Sequence, residues 1–187
     1  MVMIKTKLNR KRFSMYEQHV AKWKNCQQCS LSEYRTQVVL ARGKVPAEIL
    51  FIGEAPGASE DIIGQPFIGP AGRLLDHIID RAVDAQYDYA LTNLVGCIPK
   101  DSDNDKGEPP KEAILACRDR LLEFIEICQP KLIVSVGLLS KKFTPGEIRP
   151  IISITHPAAI LRMDVSQQTL AIKRCVVTIE DAISLYL

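Results

Sequence analysis

Six cysteines are the side chains best equipped for chemistry in this sequence: Cys26, Cys29, Cys97, Cys117, Cys128 and Cys175. Cys26 and Cys29 form a C-x-x-C pair at the end of a helical stretch. Cys97 follows an apolar run, and Cys117, with nineteen residues between them, lies on the next helical stretch. By spacing, these four thiolates suit either a zinc ion or an iron–sulphur cluster. The opening segment "MVMIKTKLNRKRFSMYEQ" has no apolar secretory core, so disulfides are not expected. Cys128 and Cys175 fall on apolar helical faces and read as small core residues.

Carboxylates gather in a second place. "GEAPGASEDIIGQPFIG" (53–69) carries Glu54, Glu60 and Asp61 among four glycines and two prolines, directly after the apolar run "AEILFI". Its glycines allow backbone N–H groups to approach a ligand closely, and its prolines fix the path. It lacks the Lys-Ser/Thr ending of a phosphate loop. Two further segments draw notice: "TNLVGC" with Asn93, and "THPAAILR" with His156. Each has a structural alternative. The loop can be a set of tight turns, Asn93 can satisfy a buried backbone group, and His156 can be a bonded core histidine.

The elements that must position these residues alternate in type. Continuous apolar runs predict buried strands at 47–53, 89–96, 131–137 and 150–157. Helical periodicity predicts helices at 13–26, 69–85, 109–128 and 167–187. This pattern predicts an α/β fold of three αβα layers around a four-stranded parallel sheet. In such sheets ligands bind beyond the carboxyl ends of the strands. All three unusual segments are expected there.

With 187 residues the chain reads as a single domain, and its 47% apolar and 25% charged content is ordinary for a globular protein. No apolar run is long enough for a membrane span. The net charge of +2 says little, but Lys5, Lys7, Arg10, Lys11 and Arg12 form a basic leader over residues 1–12. That leader suits either contact with phosphates or plain solvation. The polar loop 99–110 is expected to be mobile.

The segments "CQQCSLSEYRTQVVL", "LFIGEAPGASEDIIGQPFIGPAGRLLDHI", "LTNLVGC" and "THPAAILR" resemble family 4 uracil-DNA glycosylases, the iron–sulphur branch of the uracil-DNA glycosylase superfamily. The resemblance runs in order from about Cys26 to the closing helix. It implies a DNA repair enzyme that hydrolyses the N-glycosidic bond of uracil in DNA and leaves an abasic site. It also implies a 4Fe–4S cluster on Cys26, Cys29, Cys97 and Cys117, with a structural role. By match to the family motif, Phe67 is expected to stack on an extruded uracil, and Asn93 to pair with its N3 and O4 edge. Backbone N–H groups of the turn at Ala55 are expected to assist, and Glu60 to lie near C5. His156 is expected to stabilise the leaving base at O2, and Glu54 to act on the water or the sugar. Ala158, Ala159, Ile160 and Leu161 are candidates for an apolar wedge in the duplex, and Arg162 for a phosphate contact. The partner implied is uracil-containing DNA, with no membrane, for an intracellular, cytoplasmic monomer.

Two departures stand out. The family often reads "VKCRPP" where this chain has "VGCIPK", so Gly96 and Ile98 replace two cationic positions. Only eighteen residues separate Gly137 from His156, fewer than in typical members. Lys141, Lys142 and Arg149 stand in this shortened segment as substitute DNA contacts. The alternatives are a glycosylase for another base, or a non-catalytic DNA- or protein-binding member of the fold.

Overall fold

The computed structural model describes residues 2–100, 107–146 and 149–187, with side chains from residue 12 onward. The charged side chains at 1–11 and most of the acidic loop, residues 101–106, lie outside the described residues.

Five strands form one sheet in the order β1-β3-β2-β4-β5. They are β1 (Ala41–Gly43), β2 (Ile49–Gly53), β3 (Tyr89–Asn93), β4 (Leu132–Val136) and β5 (Ile151–Ile154). The four strands expected from the apolar runs, β2 to β5, pair in parallel. The sequence reading missed β1, which adds to β3 as an antiparallel edge. Its three residues "ARG" make no apolar run, and an edge strand needs no apolar face on both sides.

β2 and β4 are buried along their whole length, because helices cover both faces. The pleat sends alternate residues to opposite layers. Leu50, Ile52, Ala90 and Ile133 join one core with Trp23, Leu121 and Phe124. Ile49, Phe51, Leu91, Leu132 and Val134 join the other with Leu75, Ile78, Cys175 and Ile179. This is the three-layer arrangement that the alternation of elements predicts. The helices of the first layer include α1 (Val2–Trp23), α4 (Lys111–Ala116) and α5 (Arg118–Cys128); α3 (Pro70–Ala82) and α8 (Val165–Tyr186) cover the second face. α2 (Ala58–Ile63), α6 (Leu138–Phe143) and α7 (Pro157–Ile160) are short helices beyond strand ends.

The single helix expected over 109–128 is two, α4 and α5, meeting at Cys117. The helix expected over 13–26 is α1, which begins at Val2. Cys128 and Cys175 are buried among apolar side chains, as their helical faces suggest, and burial pushes the Cys128 thiol up to about 12. Among the described residues no helix is long and apolar enough to cross a membrane.

Candidate active site

The carboxyl ends of β2 and β3 lie side by side, with Gly53 registered against Asn93. Asn93 is 3% exposed. A Cβ on Gly53 would stand 2.5 Å from Asn93 Oδ1 and 2.3 Å from Phe67 Cζ. Gly53 is therefore the floor over which the Asn93 amide and the Phe67 ring meet.

Phe67 is held in an uncommon backbone state, with φ 58°. Three neighbours keep it there. Arg42, from β1, donates through Nε to the Pro66 carbonyl at 2.7 Å and through Nη2 to the Phe67 carbonyl at 3.0 Å. Arg42 also pairs with Asp76 of α3. Gly72 of α3 presses on the Phe67 backbone so closely that a Cβ would lie 1.9 Å from its carbonyl oxygen. The edge strand missing from the sequence reading thus sets the ring.

Glu60 clasps the same loop. Its Oε1 accepts from the N–H groups of Ile68 at 3.0 Å and Gly69 at 2.8 Å, and its Oε2 from Gly57 at 3.1 Å. The side chain expected near a base is thus engaged with loop backbone, and it is buried. Asp61 accepts from the Thr36 N–H at 2.9 and 3.1 Å and lies 3.6 Å from Lys100 Nζ. Its role is structural, binding the segment after the C-x-x-C pair to α2.

The second group of side chains surrounds Gly137, at the end of β4. Its φ of +101° is a left-handed conformation that only glycine adopts freely. A Cβ there would fall 2.6 Å from Glu54 Oε1, 3.1 Å from His156 Cδ2 and 3.2 Å from His156 Cβ. Gly137 is thus the shared seat of Glu54, from the end of β2, and His156, from the end of β5. Burial pushes the Glu54 carboxyl above the usual carboxylate range; Glu108 adds to this, and the Leu139 N–H donating to it opposes it. Burial, then the positive charge of Arg162, lowers the His156 pKa. The Ala158 N–H donates to His156 Nδ1 at 3.1 Å. A neutral imidazole accepting at Nδ1 carries its proton on Nε2 and offers it as a donor.

Gly137→Ala tests the shared seat. The added methyl must displace the Glu54 carboxylate or the imidazole, while the positive φ adds about 1 kcal/mol of strain. Catalysis proposed for this pair should fall roughly 100-fold, as for a misplacement on the order of 1 Å. Circular dichroism should show the fold retained, with the loss in the single-turnover rate.

Glu54, Ala55, Gly137, Leu138, Lys141, His156, Ala158, Ala159 and Arg162 line one open cleft of about 900 Å³ at this end of the sheet. Lys141 and Arg162 place positive charge on it. A second cleft, of about 820 Å³, lies at the amino end of β3 beside Arg42, Asp80 and Asp88, far from these groups in the fold. Of the expected wedge, Ile160 is a correction: it is 0% exposed and packs in the core with residues of α3 and α8. It cannot enter a duplex without leaving that core. Leu161, one residue later, is 43% exposed.

The four expected metal-ligating cysteines fall in the same layer of the core. Burial raises the Cys29 thiol pKa, with smaller contributions from Cys117 and Cys26; Cys117 and Cys29 add in the same direction to the burial of Cys97. Cys97 and Cys117 lie in one apolar cluster against which Cys26 and Cys29 pack. Arg35 donates to Cys97 Sγ at 3.4 Å. Burial raises the Cys97 thiol to about 11. Among the described residues, no three cysteine, histidine or acidic side chains are close enough to share one metal ion.

The sequence profile of the uracil DNA glycosylase superfamily matches residues 40–177, a span that holds Glu54, Phe67, Asn93 and His156. The chain belongs to that superfamily. A type-4 uracil-DNA glycosylase of Archaeoglobus fulgidus is 32% identical over 160 residues, covering 73% of this chain and 78% of its own length. Similar proteins of the same description from Pyrobaculum aerophilum and Saccharolobus solfataricus are 39% and 40% identical, each over 64% of this chain. The chain spans 59% and 54% of the length of those two relatives. For this superfamily member the sequence reading named Glu54, Phe67, Asn93 and His156 but passed over Gly53, Arg42, Gly72 and Gly137. A glycine closing an apolar strand was the available signal for Gly53 and Gly137. Arg42 carried none, because its partners lie 24 to 34 residues away.

Proposed function

We propose that the protein is a monofunctional DNA repair glycosylase that hydrolyses the N-glycosidic bond of uracil in DNA and leaves an abasic site. The observation that carries this is the meeting of the Asn93 amide and the Phe67 ring over Gly53. A planar base extruded from DNA needs a stacking surface and an edge that reads it. Phe67 stacks on the base, and Asn93 offers the N3 and O4 edge one acceptor and one donor. The turn at Ala55 supplies backbone N–H groups. Glu60 serves by fixing the loop that presents Phe67.

Bond cleavage leaves positive charge on the sugar and negative charge on the base. His156, neutral with its proton on Nε2, donates to uracil O2 as that oxygen becomes anionic. Glu54 acts on the opposite side, orienting water and stabilising the sugar cation. Ala159, Leu161 and Arg162 meet the DNA beside the vacated position, and Lys141 adds a phosphate contact. The protein acts as a monomer on DNA in the cytoplasm.

Cys26, Cys29, Cys97 and Cys117 suit a 4Fe–4S cluster. Such a cluster takes one thiolate at each iron, so its ligands stand farther apart than four that meet on one zinc ion. When bound, the cluster supplies structural cross-linking, tying the end of α1 to the segments after β3 and before α5. Purified protein should be brown, with broad absorbance near 400 nm, and Cys117→Ser should lose that colour and melt at lower temperature. A colourless protein carrying one zinc would remove the cluster from the proposal.

The reading is tested with oligonucleotides bearing uracil, hypoxanthine or thymine, followed by alkaline cleavage of abasic sites. Strand breaks at uracil are expected. Breaks only at another base would change the substrate, and binding without any break would point to a non-catalytic member of the fold.

A further inference from the structure

Leu138 opens α6 one residue beyond Gly137, the shared seat of Glu54 and His156. It is 83% exposed, more than any other large apolar side chain among the described residues. It also lines the cleft that holds Glu54, His156 and Arg162. The other large aliphatic side chains on that lining are turned into the fold: Ile98 is 1% and Ile154 5% exposed, and Leu139 packs against the core. A single exposed leucine elsewhere on a surface needs no explanation. This one stands one residue from the pair proposed to break the bond.

The turn that presents it is anchored on several sides. The buried Ser140 hydroxyl donates to the Ile52 carbonyl of β2. The Lys141 N–H donates to the Gly137 carbonyl at 3.0 Å, and the Leu139 N–H donates to Glu54. Three residues after Leu138, and so on the same helical face, Lys141 lines the same cleft. One face of α6 therefore carries an apolar tip followed by a cation. Duplex DNA has the matching order, with apolar base faces inside a rim of phosphates.

Extruding a base leaves a gap in the stack, and an apolar side chain that fills it holds the base out. The segment after His156 lacks the reach. Ile160 is in the core, Ala158 and Ala159 are short, and Leu161, though exposed, does not line the cleft. We propose that Leu138 is the side chain that enters the duplex and fills the space left by the extruded nucleotide, with Lys141 on the adjoining phosphate. The wedge then comes from the end of β4, and the α7 segment contacts the DNA outside the stack. This rests on the uracil-excision reading above.

A wedge matters in proportion to the stacking and pairing that must be broken. Single-turnover uracil release is therefore compared on oligonucleotides of one sequence with uracil opposite adenine, opposite guanine, or in a single strand. Leu138→Ala should slow release opposite adenine by about tenfold or more, opposite guanine by less, and from the single strand by about threefold at most. Leu138→Met, of similar length and apolar character, should restore most of the rate opposite adenine. The position is exposed, so the melting temperature of both variants should stay near that of the wild type. Similar slowing on all three substrates would place Leu138 in the arrangement of the catalytic groups rather than in the stack, and would overturn the proposal. So would a duplex-selective loss in Leu161→Ala with none in Leu138→Ala. Elution of Leu138→Ala as a smaller species than the wild type on size exclusion would mark a contact between two copies of the chain, and would overturn it too. A wild type that releases uracil only from the single strand has no use for a wedge, and overturns this inference but not the glycosylase reading. A wild type that releases it from none of the three overturns that reading, and this inference with it.

Discussion

His156→Ala should slow single-turnover uracil excision by roughly 100- to 1,000-fold, corresponding to ~2.7–4 kcal/mol for loss of one preorganised donor to a developing oxyanion. Affinity for uracil-containing DNA should change far less, because O2 is a weak acceptor until the bond breaks. The Nδ1 contact with the Ala158 N–H makes the imidazole a one-way device: its only free proton is on Nε2. The neighbouring charges fix the pH dependence. The form proposed to be active pairs an ionised Glu54 with a neutral His156. Burial and Glu108 raise the Glu54 pKa, so its charge is lost at higher pH than for an ordinary carboxylate. Burial and Arg162 lower the His156 pKa, so the imidazole stays neutral below its usual range. Both transitions lie on the acid side, and each costs activity as pH falls. The rate should be flat above them and fall steeply below, and Glu54→Gln should leave a slower enzyme with a shallower acid limb. An acid limb identical in Glu54→Gln and the wild type would separate Glu54 from the titration. A His156→Ala variant that binds DNA poorly yet cleaves at the normal rate would make His156 a binding residue.

Asn93→Asp should reduce uracil excision roughly 100-fold or more while the far-ultraviolet circular dichroism and the cluster absorbance stay as in the wild type. The substitution replaces a donor with an acceptor at a position that is 3% exposed. An acceptor facing uracil O4 loses a hydrogen bond and meets a like dipole. Mispairing at a base edge typically costs 1–3 kcal/mol, about 5- to 150-fold. Burial of the new carboxylate adds to that cost. Its backbone neighbours should be unaffected, because Arg120 holds the main-chain carbonyl and not the amide. Unchanged excision by Asn93→Asp would take base reading away from this residue.

The four parallel strands were legible because burial on both faces writes a continuous apolar run, as in "ILFIG" and "LIVSV". β1 was not, because an edge strand of three residues leaves no pattern to read. Glu54, Asn93 and His156 stood out in the sequence because they lie in motifs that resemble the family, near the carboxyl ends of expected strands. Their supports were not. Gly137 is one glycine among ten until the chain brings Glu54 and His156 to either side of it. Arg120 sits in "CRDRLLEF", where a charged residue reads as solvent-facing; only the carbonyls arriving from β3 make its burial possible. Ile160 misled in the opposite direction. A motif position suggested exposure, while the packing of α7 against α3 and α8 turned the side chain inward.

The strand order has a consequence for timing. β2 occupies the middle of the sheet, yet one of its two neighbours, β4, is synthesised long after it, and β5 later still. Parallel strands cannot pair through short hairpins and must wait for distant partners. As the chain leaves the ribosome, Glu54 emerges early and has no seat until Gly137 follows. His156 arrives after both. A nascent chain that has made only its first three strands therefore carries the base-reading side chains without the pair proposed to break the bond. Emergence of β5 and His156 would be the earliest moment at which that pair can assemble.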